Sequence, residues 1–262
     1  MNIEIKYRKS IHSIISYFLI SSFLSVVISL SVSFMFQLFN FDLESEQNVL
    51  LVKSIYQLIV YLFMFIILFL INKDELISDI KKLFKNKINI ILISIIASYG
   101  IFYVINGVFN VLVQNAEAYI NEVRNLFYYP PFKQMATITS TATNQVEIEA
   151  LLKSSGAIFM FISAGVVGPI CEEIVFRKAF FNLFKSKELG ILISSLFFGF
   201  IHINSSMGNF DLTSSILMTI PYIVSGVAFG YIYIKNDCNV VLTTIVHMLT
   251  NIISMLGILF LI

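Results

Sequence analysis

Charge is what this sequence has least of. Only 13% of its 262 residues are Asp, Glu, Lys or Arg, against 58% hydrophobic. An ordinary soluble domain carries roughly 25% charge. With a mean hydropathy of +0.87, so few charges cannot cover a water-facing surface. An ordinary soluble globule, a disordered chain and a coiled coil are therefore excluded. The net charge is +1, which leaves no basic field for nucleic acid. The only cysteines, Cys171 and Cys238, stand far apart in apolar surroundings, so there is no CxxC redox pair and no disulfide framework. Trp is absent, and Tyr must serve any interfacial belt. There is no internal repeat and no Gly-rich phosphate loop.

What is present is a series of long apolar runs. A run of ~20 residues crosses a bilayer, and about seven are legible: Ile14–Phe39, Ser54–Ile71, Ile88–Val113, Gly156–Phe184, Leu189–Asn204, Thr213–Ile234 and Val240–Ile262. The expected fold is all-α, a polytopic transmembrane helical bundle with a buried polar site. The first run is too long for the apolar segment of a signal peptide and lacks a small-residue cleavage site, so it reads as a retained helix. Lys6, Arg8 and Lys9 precede it, and Lys73–Lys87 and Lys185–Glu188 are further basic connections. Basic residues favour the cytoplasmic side. This puts the N-terminus inside and, with seven spans, the C-terminus outside. Leu76–Lys87 alternates apolar and basic positions and is expected along the inner membrane surface. The polar stretch Gln114–Ser155, with Tyr129-Pro130-Pro131 and the Thr-rich Thr137–Thr143, reads as an extramembrane loop. Asn121–Phe127 and Val146–Leu152 are its amphipathic pieces.

Ionisable residues inside spans are expensive and therefore informative. The fourth run carries Glu172, Glu173 and Arg177. Successive helical residues lie about 100° apart, so the two carboxylates are not expected to face one partner, while Glu173 and Arg177 share a face. Of three histidines, His12 sits at an interface, and His202 and His247 lie inside apolar runs. Asn251 is one turn beyond His247. Counted from basic or polar markers at the inner face, Glu172, His202, His247 and Asn251 lie roughly 20, 22, 12 and 18 Å deep at 1.5 Å per residue. Four polar groups on three helices thus reach a similar layer. Pro169 frees a backbone carbonyl one turn before Glu172. The glycines at 165, 168, 199, 226 and 230 read as packing positions.

Three chemistries fit this set. Glu172, His202 and His247 match a known catalytic ligand set for a divalent metal such as zinc, with an open position for water. Alternatively no metal is used. Glu172 takes a proton from water with help from His202, and His247 and Asn251 donate to the oxyanion. The third possibility is a proton or ion relay. The spacing is not HExxH, so the usual zincin helix is absent. Cys171 is disfavoured as a nucleophile because two adjoining carboxylates oppose its thiolate.

At these residues the chain resembles the CAAX-protease and bacteriocin-processing family of intramembrane proteases, the group that includes the Rce1-type prenyl-protein endopeptidases. Pro169-Ile170-Cys171-Glu172-Glu173-Ile174-Val175-Phe176-Arg177 is similar to the family's EExxxR segment, Phe198–His202 to its FxxxH, and His247–Asn251 to its HxxxN/D. Gly226–Tyr233 resembles its Gly-rich penultimate helix. Lys178 stands where the family commonly has Gly, a departure that puts close helix packing there in question.

The resemblance implies catalytic roles for Glu172, His202, His247 and Asn251, and a supporting pair in Glu173 and Arg177. It implies a protease core over residues 156–262, behind N-terminal transmembrane helices and a loop (1–155) of unassigned role. The implied activity is endoproteolysis of a membrane-associated or lipidated peptide or protein in contact with membrane lipid. The substrate types are CAAX tails, or bacteriocin and signal peptides with immunity as one role. Composition rich in Lys, Ile and Asn points to a bacterial plasma membrane. A non-proteolytic scaffold or regulator binding a partner membrane protein is the competing expectation. A transporter, for which paired inverted halves are absent, comes third.

Overall fold

A computed structural model describes residues 3–85, 88–127, 143–203 and 212–261. Among the described residues the regular structure is helical throughout. Eight rods follow in order: α1 (Ile3–Leu38), α2 (Glu46–Phe84), α3 (Ile88–Phe127), α4 (Thr143–Leu152), α5 (Ala157–Leu183), α6 (Lys187–Ile203), α7 (Leu212–Lys235) and α8 (Val240–Leu261). Five of the apolar runs coincide with helices long and apolar enough to cross a membrane, namely α1, α2, α3, α5 and α8. The other two coincide with α6, of 17 residues, and α7, of 24. The chain is an all-α polytopic membrane bundle. Tyr129-Pro130-Pro131 lies outside the described residues, as does the Thr-rich segment up to its last residue, Thr143. So does Asn204, which ends the fifth apolar run.

Two expectations are corrected at the helix ends. Asn121–Phe127 is not a separate amphipathic piece but the last turns of the 40-residue α3. The Leu76–Phe84 segment does not lie apart along a surface; it continues α2, which runs unbroken for 39 residues. At 1.5 Å per residue that is roughly 58 Å, well beyond a ~30 Å hydrocarbon layer. The reason is its spacing. Leu76, Asp79 and Leu83 recur at helical intervals and are all buried, so packing holds the segment on the axis of α2. Val146–Leu152 does form the short helix α4, whose Leu151 and Leu152 pack beside Met160 and Met255.

The hairpin of α1 and α2 is antiparallel. Asn72 Nδ2 donates to Ser13 Oγ at 2.9 Å, and Lys9 pairs with Asp74 at 3.8 Å. At the same end, Lys178 of α5 lies 2.6 Å from Asp79 and 3.5 Å from Glu75, and Asn239 at the start of α8 donates to the Asp79 carbonyl at 2.9 Å. The segments carrying the basic connections thus gather at one end of the bundle. Lys178, far from loosening α5, locks α2 onto it. With both partners over nine-tenths buried, a charge-assisted bond of this kind is worth about 1.5–3 kcal/mol. Lys178→Met should lower unfolding stability in detergent by that amount, with Lys82, 3.7 Å from Asp79, limiting the loss. A thermal scan matching wild type would refute the lock.

The main core joins α1, α2, α5 and α6 through Tyr17, Met64, Leu68, Cys171, Phe176 and Phe198. Helices α6 and α7 cross so closely that a Cβ on Gly226 would lie 2.9 Å from Ser195 Cα, which explains the glycine there as a packing position. Both cysteines are free.

Candidate active site

The backbone of α5 is not a regular α-helix around the two glutamates. It carries two wide π segments, Ser163–Val167 and Ile174–Ala179, on either side of Gly168–Glu173. Such π turns gather at functional sites. In the first, the Gly168 N–H reaches back five residues to the Ser163 carbonyl. In that register the next carbonyl, of Ala164, would be served by residue 169, which is Pro169 and has no N–H. The orphan is satisfied from another helix: Asn251 Nδ2 donates to Ala164 O at 2.9 Å. The expected freed carbonyl therefore exists, and Asn251 is what meets it. Asn251→Leu should cost about 1–3 kcal/mol, the usual cost of leaving a buried carbonyl unpaired, measured as a drop in unfolding stability.

Glu172, Glu173, Arg177 and His247 are all buried. His247 Nδ1 lies 3.0 Å from Glu173 Oε1, and His247 Nε2 lies 3.8 Å from Glu172 Oε2. Adjacent carboxylates thus do face one partner, against the expectation from the 100° step. An imidazole carries nitrogens on two sides, and edge-on it presents one to each carboxylate. Glu173 also meets Arg177, with Nε 3.2 Å from Oε2, in ion-pair range but outside hydrogen-bond alignment. The expected Glu173–Arg177 pair forms even though the turn between them is π rather than α. The remaining guanidinium donors have no hydrogen-bond partner. They lie against aromatic rings instead, with Cζ 5.1 Å from the Phe198 centroid and 5.7 Å from that of Phe229.

His202 joins through Phe198. The two rings are 4.5 Å apart, and Phe198 also lies 6.0 Å from His247. Glu172, His247 and Arg177 all act electrostatically on His202. Its Nδ1 donates to the Phe198 carbonyl at 2.7 Å. A carbonyl only accepts, so Nδ1 carries a proton, and in the neutral ring Nε2 keeps the lone pair. Tyr222 of α7 stacks on His202 at 4.6 Å, and Phe229 stacks on His247 at 4.3 Å. These aromatic clamps were not singled out from sequence. Phe198 was within reach as the residue one turn before His202; Phe229 and Tyr222 carry no separate signal.

Glu172, His202 and His247 offer donor atoms that suit zinc. As placed they do not fit one: among the described residues no three His, Cys, Asp or Glu side chains group closely enough to hold a metal ion.

Comparison with known proteins adds a second, independent line. Residues 154–253 match the family model described as type II CAAX prenyl endopeptidase Rce1-like. This segment is Rce1-like. The Rce1-like segment contains all six residues singled out from the sequence, Glu172, Glu173, Arg177, His202, His247 and Asn251, while α1 and α2 lie outside it. An uncharacterized protein of Mycoplasma capricolum subsp. capricolum is 28% identical over 207 residues, 78% of this chain and 54% of that protein. Two UPF0177 proteins of Lactococcus lactis subsp. lactis also match. YaiF is 26% identical over 100 residues (38% of this chain, 41% of YaiF), and YxdF is 25% identical over 114 residues (44% and 58%). The chain spans about half the length of these curated relatives. No solved structure matches.

Proposed function

We propose that this chain is an intramembrane endopeptidase that hydrolyses a peptide bond of a membrane-associated or lipidated peptide. In this reading residues 156–262 carry the chemistry and the N-terminal helices frame it. The observation that carries it is the convergence of Glu172 and Glu173 on one imidazole, with Arg177 paired to Glu173 and His202 on the Phe198 ring that also approaches His247, inside a segment matching a protease family.

Glu172 is the general base. It takes one proton from water as the water oxygen bonds to the substrate carbonyl carbon. The carbonyl π pair moves to oxygen, and the oxyanion accepts from His247 Nε2–H and from the second N–H of Asn251. Glu173, holding His247 Nδ1, fixes the imidazole so that Nε2 points into the site. The Nε2 lone pair of His202 relays the abstracted proton to the departing nitrogen as the C–N bond breaks. No acyl-enzyme forms. The three relatives reported above come from bacteria, which supports a bacterial plasma membrane as the location. Bacteriocin, signal-peptide and CAAX-type tails are the substrate classes to try.

The test is a mass map of membrane peptides incubated with full-length protein in lipid vesicles. Peptides trimmed by wild type and left whole by Glu172→Gln are expected. If nothing is trimmed, the scaffold reading replaces this one.

A further inference from the structure

The attacking water needs a second anchor besides Glu172, and the N-terminal half of the chain supplies one. Tyr61 lies on α2, outside the matched segment. A Cβ built on Gly168 would stand 3.4 and 3.5 Å from Cε1 and Cζ of the Tyr61 ring. The phenol end therefore occupies the space that a side chain at position 168 would contest. Glu172 is one turn further along α5, and helical side chains lean back over the preceding turn. Its side chain is thereby directed back toward the level of the Tyr61 ring. The Cys171 thiol donates to the Tyr61 carbonyl at 3.8 Å and pins the two helices at this level. Glu172 is within electrostatic reach of the Tyr61 phenol.

Neither group is otherwise engaged. Among the described residues the Tyr61 hydroxyl has no hydrogen-bond partner, and the Glu172 carboxylate has none nearer than His247 Nε2 at 3.8 Å. Tyr61 is half-buried, and a hydroxyl within a membrane-spanning helix gains from a partner. An unpaired carboxylate gains more. One water between them satisfies both.

We propose that Tyr61 orients the nucleophilic water for Glu172. This rests on the hydrolytic reading above. The water donates one O–H to the carboxylate and accepts the Tyr61 O–H on one lone pair, so its remaining lone pair points at the scissile carbonyl. In the step, the first proton passes to Glu172, the O–C bond forms, and the carbonyl π pair moves to oxygen. The proton later leaves with the amine as C–N breaks. The Tyr61 hydroxyl keeps its own proton throughout.

The test uses full-length protein in vesicles and a fluorogenic peptide built on the bond cut in the mass map. Tyr61→Phe removes only the hydroxyl. It should lower kcat by about 10-fold or more with KM and melting temperature unchanged, because general-base steps lose rate when their geometry loosens. Tyr61→Leu also removes the ring; it should melt earlier yet lose no more kcat per folded molecule than Tyr61→Phe. A ring that served packing alone would give the reverse, a silent Phe and a damaging Leu, and would overturn the assignment. Wild-type kcat in Tyr61→Phe beside an inactive Glu172→Gln sinks the role of Tyr61 and leaves hydrolysis standing. An active Glu172→Gln sinks both.

Discussion

Glutamine at position 172 should abolish most hydrolysis while leaving the fold intact. General-base catalysis contributes about 10²–10⁴-fold, and kcat should fall within that range. The fold should survive because Glu172 holds nothing together. Its nearest charged partner is His247 Nε2 at 3.8 Å, and it makes no hydrogen bond to the protein among the described residues. The amide has nearly the same volume and brings no clash to a site that is over nine-tenths buried. The informative measurement is therefore paired: turnover of a cleavable peptide and thermal unfolding on the same vesicle preparation. A loss of rate with an unchanged melting temperature is the expected result. A variant that turns over at the wild-type rate removes the base from the mechanism.

The apolar runs and the rare ionisable residues made much of this legible. A charge inside a span must find a partner, so Glu172, Glu173, Arg177, His202 and His247 were visible as a set from cost alone. The depth count was also physical: helices convert residue number to height at a fixed rise. What sequence could not reveal was azimuth and register. The π turns at Ser163–Val167 and Ile174–Ala179 each shift the phase of α5, and no composition marks them. Only Pro169 hinted that a carbonyl would go unserved, and nothing said that Asn251 would serve it. The contact of both carboxylates with one imidazole depended on the edge-on insertion of a ring from α8. Of the aromatic walls, Phe198 stood out only as the start of the FxxxH segment, and Phe229 and Tyr222 were lost among 26 Phe and 12 Tyr. Tyr61 was invisible for the same reason, since its neighbour in space is over a hundred residues away. The pairing of Lys178 was not legible because its partner, Asp79, belongs to a segment expected on the surface rather than in the core.

The largest stability effects should come from the pair behind His247. Glu173 and Arg177 are both fully buried, and breaking such a pair by removing one member costs about 3–5 kcal/mol because the survivor keeps its desolvation penalty. The two deletions are not equivalent. In Arg177→Met, Glu173 still has His247 Nδ1 at 3.0 Å, so the stranded charge keeps one donor. In Glu173→Gln, the guanidinium loses the one anion it contacts among the described residues. Its outer nitrogens already lack hydrogen-bond partners and rest on the Phe198 and Phe229 rings, and cation–π attraction of about 2 kcal/mol when desolvated does not replace a carboxylate. Glu173→Gln should therefore be the more destabilising, near the upper end of the range. Combining it with Arg177→Met should recover part of the loss, since a neutral pair of similar volume buries no charge. Denaturant titration in detergent reads all three. Strict additivity in the double variant would mean that the two side chains do not act as a pair. Recovery of stability without recovery of turnover would show that the carboxylate has a second task, holding the His247 imidazole with Nε2 toward Glu172.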